Sequence, residues 1–198
     1  YSALNSPAMV RRWNVALDDA TLIQDLGGQS AVWHVRYAPA WLAQARDATL
    51  VQTAYQSPTS IHVFSFSADE HISELPAPAP GTVRMQVDLC GWSIEALSPT
   101  TVHVTLVEQS DPRGWLSKTR TPPQMIVAMA GAGEHVLRHG APPCISRLFN
   151  ARVQTQAYGE DSFDVSYVAA ACDAPDATHV ECCLLYTSDA ADDSLRVD

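Results

Sequence analysis

Apolar and polar residues alternate with a period of two along much of the first 110 positions, and glycine, proline or serine interrupts the alternation at short intervals. Between positions 83 and 89, Val83, Met85, Val87 and Leu89 fall on one side of an extended chain, with Arg84, Gln86 and Asp88 on the other. That pattern predicts a strand with one apolar face. Runs of similar character cover 21–26, closed by Gly27-Gly28, then 31–37, closed by Pro39, and 48–55, closed by Ser57-Pro58. Others cover 60–67, 92–97 and 102–109. Parallel pairing needs a crossover of about a dozen residues or more between partners. The short loops here predict an antiparallel meander instead. Pro76-Ala-Pro-Ala-Pro80 is a stiff extended connector, since proline fixes its own backbone and donates no ladder hydrogen bond.

The period changes in two places. Ser6-Pro7 ahead of Ala8-Met9-Val10-Arg11-Arg12-Trp13 predicts a short helix capped by the Ser6 hydroxyl, with Pro7 in the first turn. Pro122-Pro123 opens a longer helix over 122–139, in which Met125, Met129, Ala132 and Val136 recur at helical spacing. Gly131 and Gly133 each weaken it by about 1 kcal/mol relative to alanine, so it needs tertiary contacts. Gly140 ends it and Pro142-Pro143 enforces the stop. From Cys144 the strand pattern returns, with 151–158 and 162–170 joined at Gly159-Glu160-Asp161 as a hairpin. A lone hairpin is marginal in water, so residues 142–182 read as the beginning of a second β-rich unit.

Composition narrows the function classes. The chain has 198 residues, 46% of them hydrophobic and 17% charged, which predicts a folded protein. Its formal charge is −10 with no lysine or arginine cluster, which argues against a nucleic-acid surface or an electrostatic membrane anchor. No stretch approaches the roughly 20 apolar residues of a membrane span. Five cysteines at irregular spacing fit reduced thiols rather than a disulfide framework. This predicts a cytoplasmic protein, any membrane association being carried by regions outside the chain.

Candidate reactive constellations are weak. Gly131-Ala-Gly133 lies inside a helix, and Val136 stands where a dinucleotide loop would have its third glycine. His135 and His139 have the i, i+4 spacing of a metal-binding helix, but Val136 follows where a catalytic glutamate would stand, and helix-terminal histidines serve the dipole. Cys172, His179 and Cys182 form an equally loose set. No serine sits in a Gly-x-Ser-x-Gly elbow, no cysteine has a basic neighbour, and Glu108 and Asp111 flank a turn rather than a paired acid/base site. Neither a catalytic residue, a metal nor a cofactor is predicted.

The ordered set Arg11-Arg12-Trp13, Ala45-Arg46-Asp47, Gly81-Thr-Val-Arg84, Gly91-Trp92, Gln109-Ser-Asp-Pro-Arg-Gly114-Trp115 and the helix 122–139 resembles the START (StAR-related lipid-transfer) domain over residues 1–141. The resemblance implies an α+β helix-grip fold, a curved antiparallel sheet wrapped around a long C-terminal helix, with the family's first helix and first three strands lying upstream of Tyr1. Asn14 replaces the family's usual aspartate, Gln52 stands where some sterol binders are basic, and Leu106 where one branch has tyrosine. By position in the family pattern, the lipid-facing candidates are Gln52, Ser65, Met85, Leu106, Met125 and Met129, with His34 added if its strand register allows. Trp41 and Leu42, in the loop 38–44 that gates the cavity, would either insert at a membrane surface or pack on the helix end.

The resemblance implies a monomeric, non-enzymatic binder of one sterol, phospholipid or sphingolipid, for transfer or sensing, touching membranes transiently through the gate loop and the C-terminal helix. Two alternatives stay open: a helix-grip polyketide cyclase or aromatase, for which His34 and Glu108 are the available titratable groups, and a regulatory ligand-binding module of a larger protein. Residues 183–198 resemble, in register, the translation of a transposase-library sequencing adapter, and are set aside as an artefactual tail. Without them residues 1–182 carry a charge near −7, from 18 acidic and 11 basic residues.

Overall fold

A computed structural model describes residues 1–39, 44–68, 75–78, 80–114, 121–160, 162–169 and 181–185. A single 3-10 turn, Ser2–Leu4, leads into α1 (Pro7–Trp13). Ser6 adopts an extended backbone, and its hydroxyl accepts the Met9 N–H at 3.3 Å, the cap expected of Ser-Pro before an apolar run. The strands β1 (Leu17–Gly27), β2 (Ser30–Tyr37), β3 (Ala45–Gln56) and β4 (Ser60–Ser67) follow as an antiparallel meander. Next come β5 (Thr82–Arg84), β6 (Gln86–Ser98) and β7 (Thr101–Asp111). They form a seven-stranded sheet in the order β1-β2-β3-β4-β6-β7, with β5 against the start of β3. Gly28 and Gln29, at φ 60° and 68°, close the β1–β2 hairpin with the left-handed pair that matches strand twist.

Two features depart from the alternation read in the sequence. The run 83–89 is two strands: β5 pairs parallel with Ala45 to Asp47, Met85 N donates to the Asp47 carbonyl, and β6 then runs unbroken through Gly91-Trp92. Gly91 is a mid-strand residue rather than a break. It lies opposite Phe64, whose ring would meet an added Cβ at 3.4 Å. A register shift between Val87 and Leu89 then inverts the alternation, so Cys90 takes the inner face and Leu89 is exposed.

Both helices lie on the inner face of the sheet. One core cluster joins Leu17, Trp33, Val35, Ala48, Leu50 and Val87 across the strands. A second joins Leu4, Met9 and Trp13 to Val63, with Trp92 packed against it. The Trp13 indole donates to the Ala3 carbonyl at 2.8 Å and meets Trp92 edge-on with centroids 6.2 Å apart. α2 (Thr121–His139) ends at Gly140, whose positive φ of 72° and bond to the Val136 carbonyl form the expected left-handed cap. It seats on α1 through its small residues: an added Cβ on Gly131 would come within 3.1 Å of the Trp13 carbonyl oxygen and 3.3 Å of its ring. This rotates the helix relative to the face inferred from spacing. Met125, Ala128, Gly131, Ala132 and His135 are the more covered positions, while Met129 and Val136 are exposed.

The two glycines of α2 therefore predict opposite responses. Gly133→Ala meets open space and should stabilise the protein by about 1 kcal/mol through helix propensity. Gly131→Ala gains the same propensity but presses on a main-chain oxygen that cannot swing aside, and overpacking of this kind costs about 1–3 kcal/mol. Urea unfolding of the two variants should shift the midpoint upward for Gly133→Ala and leave it unchanged or lowered for Gly131→Ala.

Beyond α2, β8 (Cys144–Phe149), β9 (Ala151–Tyr158), β10 (Phe163–Ala169) and β11 (Glu181–Leu185) form two ladders, β9 with β10 and β8 with β11. The hairpin expected at 159–161 is present, with Tyr158 stacked on Phe163. Cys183 to Leu185, set aside with the tail in the sequence reading, pair with β8, while 186–198 lie outside the described residues. The hairpin packs on the main sheet and α1. Val153 N donates to Asp25 Oδ2 at 2.8 Å, Gln156 Nε2 to Ser6 Oγ at 3.2 Å, and Arg12 to the Tyr158 and Gly159 carbonyls.

Candidate functional site

Alternation along the strands aims one set of side chains beneath the helices. On β3 these are Arg46, Leu50 and Gln52; on β2 they are Val35 and Tyr37. Val63 and Ser65 of β4, Trp92 of β6 and Leu106 of β7 extend the floor. Val10 and Trp13 of α1 with Met125 and Ala128 of α2 close the roof. The cavity measures about 230 Å³ and is partly open to solvent. Its surface is mostly aliphatic and aromatic, which suits an apolar occupant held by non-directional burial.

Of the residues singled out in the sequence, Gln52, Ser65, Met85, Leu106 and Met125 line this cavity. Met129 does not: the rotation of α2 leaves it 39% exposed. His34 does not either, because the β2 register places it with Arg36 on the opposite face, where its Nε2 lies 2.9 Å from Asp47 Oδ2. Trp41 and Leu42 lie outside the described residues.

Three polar groups at the cavity, Arg46, Tyr37 and Cys90, were not among the site candidates read from the sequence, while Glu108, named there for the cyclase alternative, lines the cavity as well. Arg46, 7% exposed, donates to the carbonyls of Gln44, Pro112 and Arg113, tying the entry to β3 to the turn that follows β7. The available signal was that Arg46 and the turn 112–114 both belong to the ordered motif set. Burial raises the Cys90 thiol to about 12, with the Glu108 charge adding to the shift, so it is neutral at physiological pH. Burial raises the Tyr37 phenol as well, reinforced by Cys90 and Glu108. Glu108 Oε1 accepts from Ser110 Oγ at 2.9 Å, and Asp111 Oδ1 takes the Arg113 N–H. The two carboxylates serve separate local contacts, and no paired acid/base unit results.

On the opposite face, Asp47 is fully buried and receives Arg84 bidentately at 3.0 and 2.9 Å, together with His34. Burial alone would raise its pKa, but the Arg84 and His34 hydrogen bonds and the Arg84 charge outweigh it and hold the carboxyl below its ordinary 3.8. Arg84 also donates to the Pro76 carbonyl, which pins the proline connector to the sheet. Among the described residues no three histidine, cysteine, aspartate or glutamate side chains converge as metal ligands, and no helix is long and apolar enough to cross a membrane. Cys172 and His179 lie outside those residues.

A sheet gripping a helix around an apolar cavity is the arrangement implied by the ordered motifs, and the START domain family model matches residues 1–127. The chain belongs to the START domain family. Among solved structures, human STARD10 superposes with a TM-score of 0.58 at 17% identity, over 70% of this chain and 60% of its own. Human StAR-related lipid transfer protein 5 gives 0.57 at 19% identity, over 64% of this chain and 63% of its own. A STAR-related lipid transfer protein fragment from Xanthomonas axonopodis gives 0.54 at 15%, over 68% of this chain and 76% of its own. The chain thus spans about three fifths of the length of the two human structures. No curated protein matches it. These likenesses establish the START helix-grip fold, and the cavity of this START domain occupies the space between grip and helix.

Proposed function

We propose that this START domain binds a single lipid in the cavity between its sheet and helices, for lipid transfer or lipid sensing. The observation that carries the reading is the cavity itself: a partly open, largely apolar space on the inner sheet face, roofed by α1 and α2, with a few polar groups at its margin. Each CH₂ taken from water contributes about 0.8 kcal/mol, so a few carbons already give useful affinity. The volume of about 230 Å³ lies below the range of roughly 300–1,000 Å³ typical of ligand pockets. Entry of a whole sterol, phospholipid or sphingolipid therefore needs α2 to move outward, and its seat of alanines and glycine on Trp13 is small enough to release. The loop 38–44 with Trp41 and Leu42, together with the exposed apolar residues Ile126, Met129 and Leu137 of α2, would meet the membrane during exchange. Burial without direction does not choose among these lipids.

An enzymatic reading of the cyclase type requires titratable groups converging on a substrate. One of its two candidates, His34, faces away from the cavity and is engaged by Asp47, so the binding reading is preferred. Native mass spectrometry of the protein isolated from cells should show one lipid per chain. Leu106→Trp, which fills the cavity floor, should abolish that adduct and lower uptake of a fluorescent lipid at least tenfold while the circular-dichroism spectrum is retained. Unchanged uptake would overturn the assignment of this cavity.

A further inference from the structure

A second cavity, of about 490 Å³, lies on the same inner face of the sheet, between β1, β2 and the β8–β9 segment. The two share one wall. Gln52 lines both, and next to it the strap Leu4-Asn5-Ser6 crosses the face, Leu4 lining the first cavity and Asn5 and Ser6 the second. Gln52 Nε2 donates to the Asn5 carbonyl at 2.8 Å and, at 3.5 Å, to the Leu4 carbonyl. The partition is the Gln52 amide and this largely buried strap, beside Trp33, which lines the second cavity and packs in one core cluster with Val35 and Leu50 of the first. Alternation makes this arrangement unavoidable: Ala31 and Trp33 precede Val35 and Tyr37 on the same side of β2, so the strand that floors the first cavity also floors the second.

The linings differ in chemistry. The second cavity is bordered by the amides of Asn5, Gln29, Gln52 and Gln156 and the hydroxyls of Ser6, Ser30 and Ser146, interleaved with apolar residues such as Leu22, Trp33, Ile145 and Leu148. Its charged groups are one of each sign. Both Asp25 carboxylate oxygens accept backbone N–H groups, from Gly27 and Val153, and the exposed Arg152 rests its guanidinium against Gly27. Amides and hydroxyls donate and accept at once, which matches hydroxyl groups, and a wall without surplus positive charge gives a phosphate little to pair with.

We propose that the two cavities are halves of one site. Its ligand would be an amphipathic lipid with an uncharged, polyhydroxylated head group, the hydrocarbon lying in the first cavity and the head reaching past Gln52 into the second. This rests on the lipid-binding reading and adds to it the class of lipid. It also makes β8 and β9 part of the binding site, Gln156 and Leu148 forming the far wall, rather than a neighbouring unit without a role in it.

The test compares three fluorescent probes with the same labelled acyl chain and sphingoid base: ceramide, glucosylceramide and the phosphocholine analogue. Titrated into the full chain, glucosylceramide should bind at least tenfold tighter than either of the others. Gln156→Leu and Leu148→Trp, the second chosen to fill the cavity and each checked for native circular dichroism, should both reduce the glucosylceramide-to-ceramide preference towards unity. Equal affinity for all three probes, tighter binding of the phosphocholine analogue, or a preference untouched by both variants would overturn the head-group assignment while leaving the lipid-binding reading standing. Failure of every probe to bind would overturn both.

Discussion

Arg84→Met is expected to be the most damaging single change on the outer face of the sheet. Removing one partner of a buried ion pair costs about 3–5 kcal/mol, because the remaining charge has neither water nor counter-ion. Asp47 has no exposed surface at all, while the Arg84 side chain keeps 24%, so the lower end of that range applies. For a chain of this size about 3 kcal/mol lowers the melting temperature by roughly 6–12 °C. Asp47→Asn should cost less, since it leaves Arg84 free to turn its head to water and keeps an acceptor for it and for His34. The pair also predicts a pH signature. Asp47 is held below its ordinary 3.8, so its ionised form stabilises the fold fully above that value, and the contribution is lost as the pH falls below 3.8 through the lowered folded-state value. Chemical denaturation between pH 5 and pH 2 should show this loss in the parent and not in Asp47→Asn. A parallel pH dependence in the two proteins would show that the carboxyl is not the group responsible.

The sheet was largely legible because its strands are half-buried, and half-burial writes a period of two into the sequence. The reading failed where a local irregularity shifted that period. At Val87 to Leu89 a register shift exchanged Leu89 for Cys90 on the inner face, and no residue in that run advertises it. The strand boundary placed at Gly91 rested on the usual sense of glycine as punctuation, whereas this glycine makes room for the Phe64 ring. On α2 the helical spacing marks Met125, Met129, Ala132 and Val136 as one face, of which Met125 and Ala132 are covered and Met129 and Val136 are exposed. Tertiary approach favoured Ala128 and Gly131 in place of the two larger residues, since close seating on Trp13 needs small side chains.

The cavity was less legible than the strands. Gln52, Ser65, Met85, Leu106 and Met125 came from positions in an ordered family pattern, and they converge only because the sheet curves beneath α1 and α2. Arg46 was visible as a motif residue but not as a cavity residue, because its carbonyl partners Pro112 and Arg113 lie more than sixty residues away in sequence. The docking of β9 on Asp25 and Ser6 had no sequence signal at all. Its side-chain pattern is that of an ordinary hairpin, and these two contacts use a backbone N–H and a single amide.

Trp13→Ala is expected to cost about 3–5 kcal/mol, the range for deleting a buried aromatic side chain. The magnitude follows from how many structures meet at this ring. It is 9% exposed, its indole N–H is satisfied by the Ala3 carbonyl, its edge contacts Trp92, and its back surface is the seat for Gly131 of α2. Deleting it removes part of the roof of the first cavity and the docking surface of α2 in the same step. Trp13→Phe separates the two contributions. The smaller ring keeps much of the apolar contact but leaves the Ala3 carbonyl without its donor, a loss of about 1–3 kcal/mol when the acceptor stays buried. Thermal melts should therefore rank parent, Trp13→Phe and Trp13→Ala in falling order. Hydrogen exchange along 125–137 should accelerate strongly in Trp13→Ala and little in Trp13→Phe, because α2 is held mainly by the ring surface rather than by the indole N–H. Equal exchange in the alanine variant and the parent would mean that α2 is anchored elsewhere, and that release of this contact cannot be what opens the cavity to a lipid.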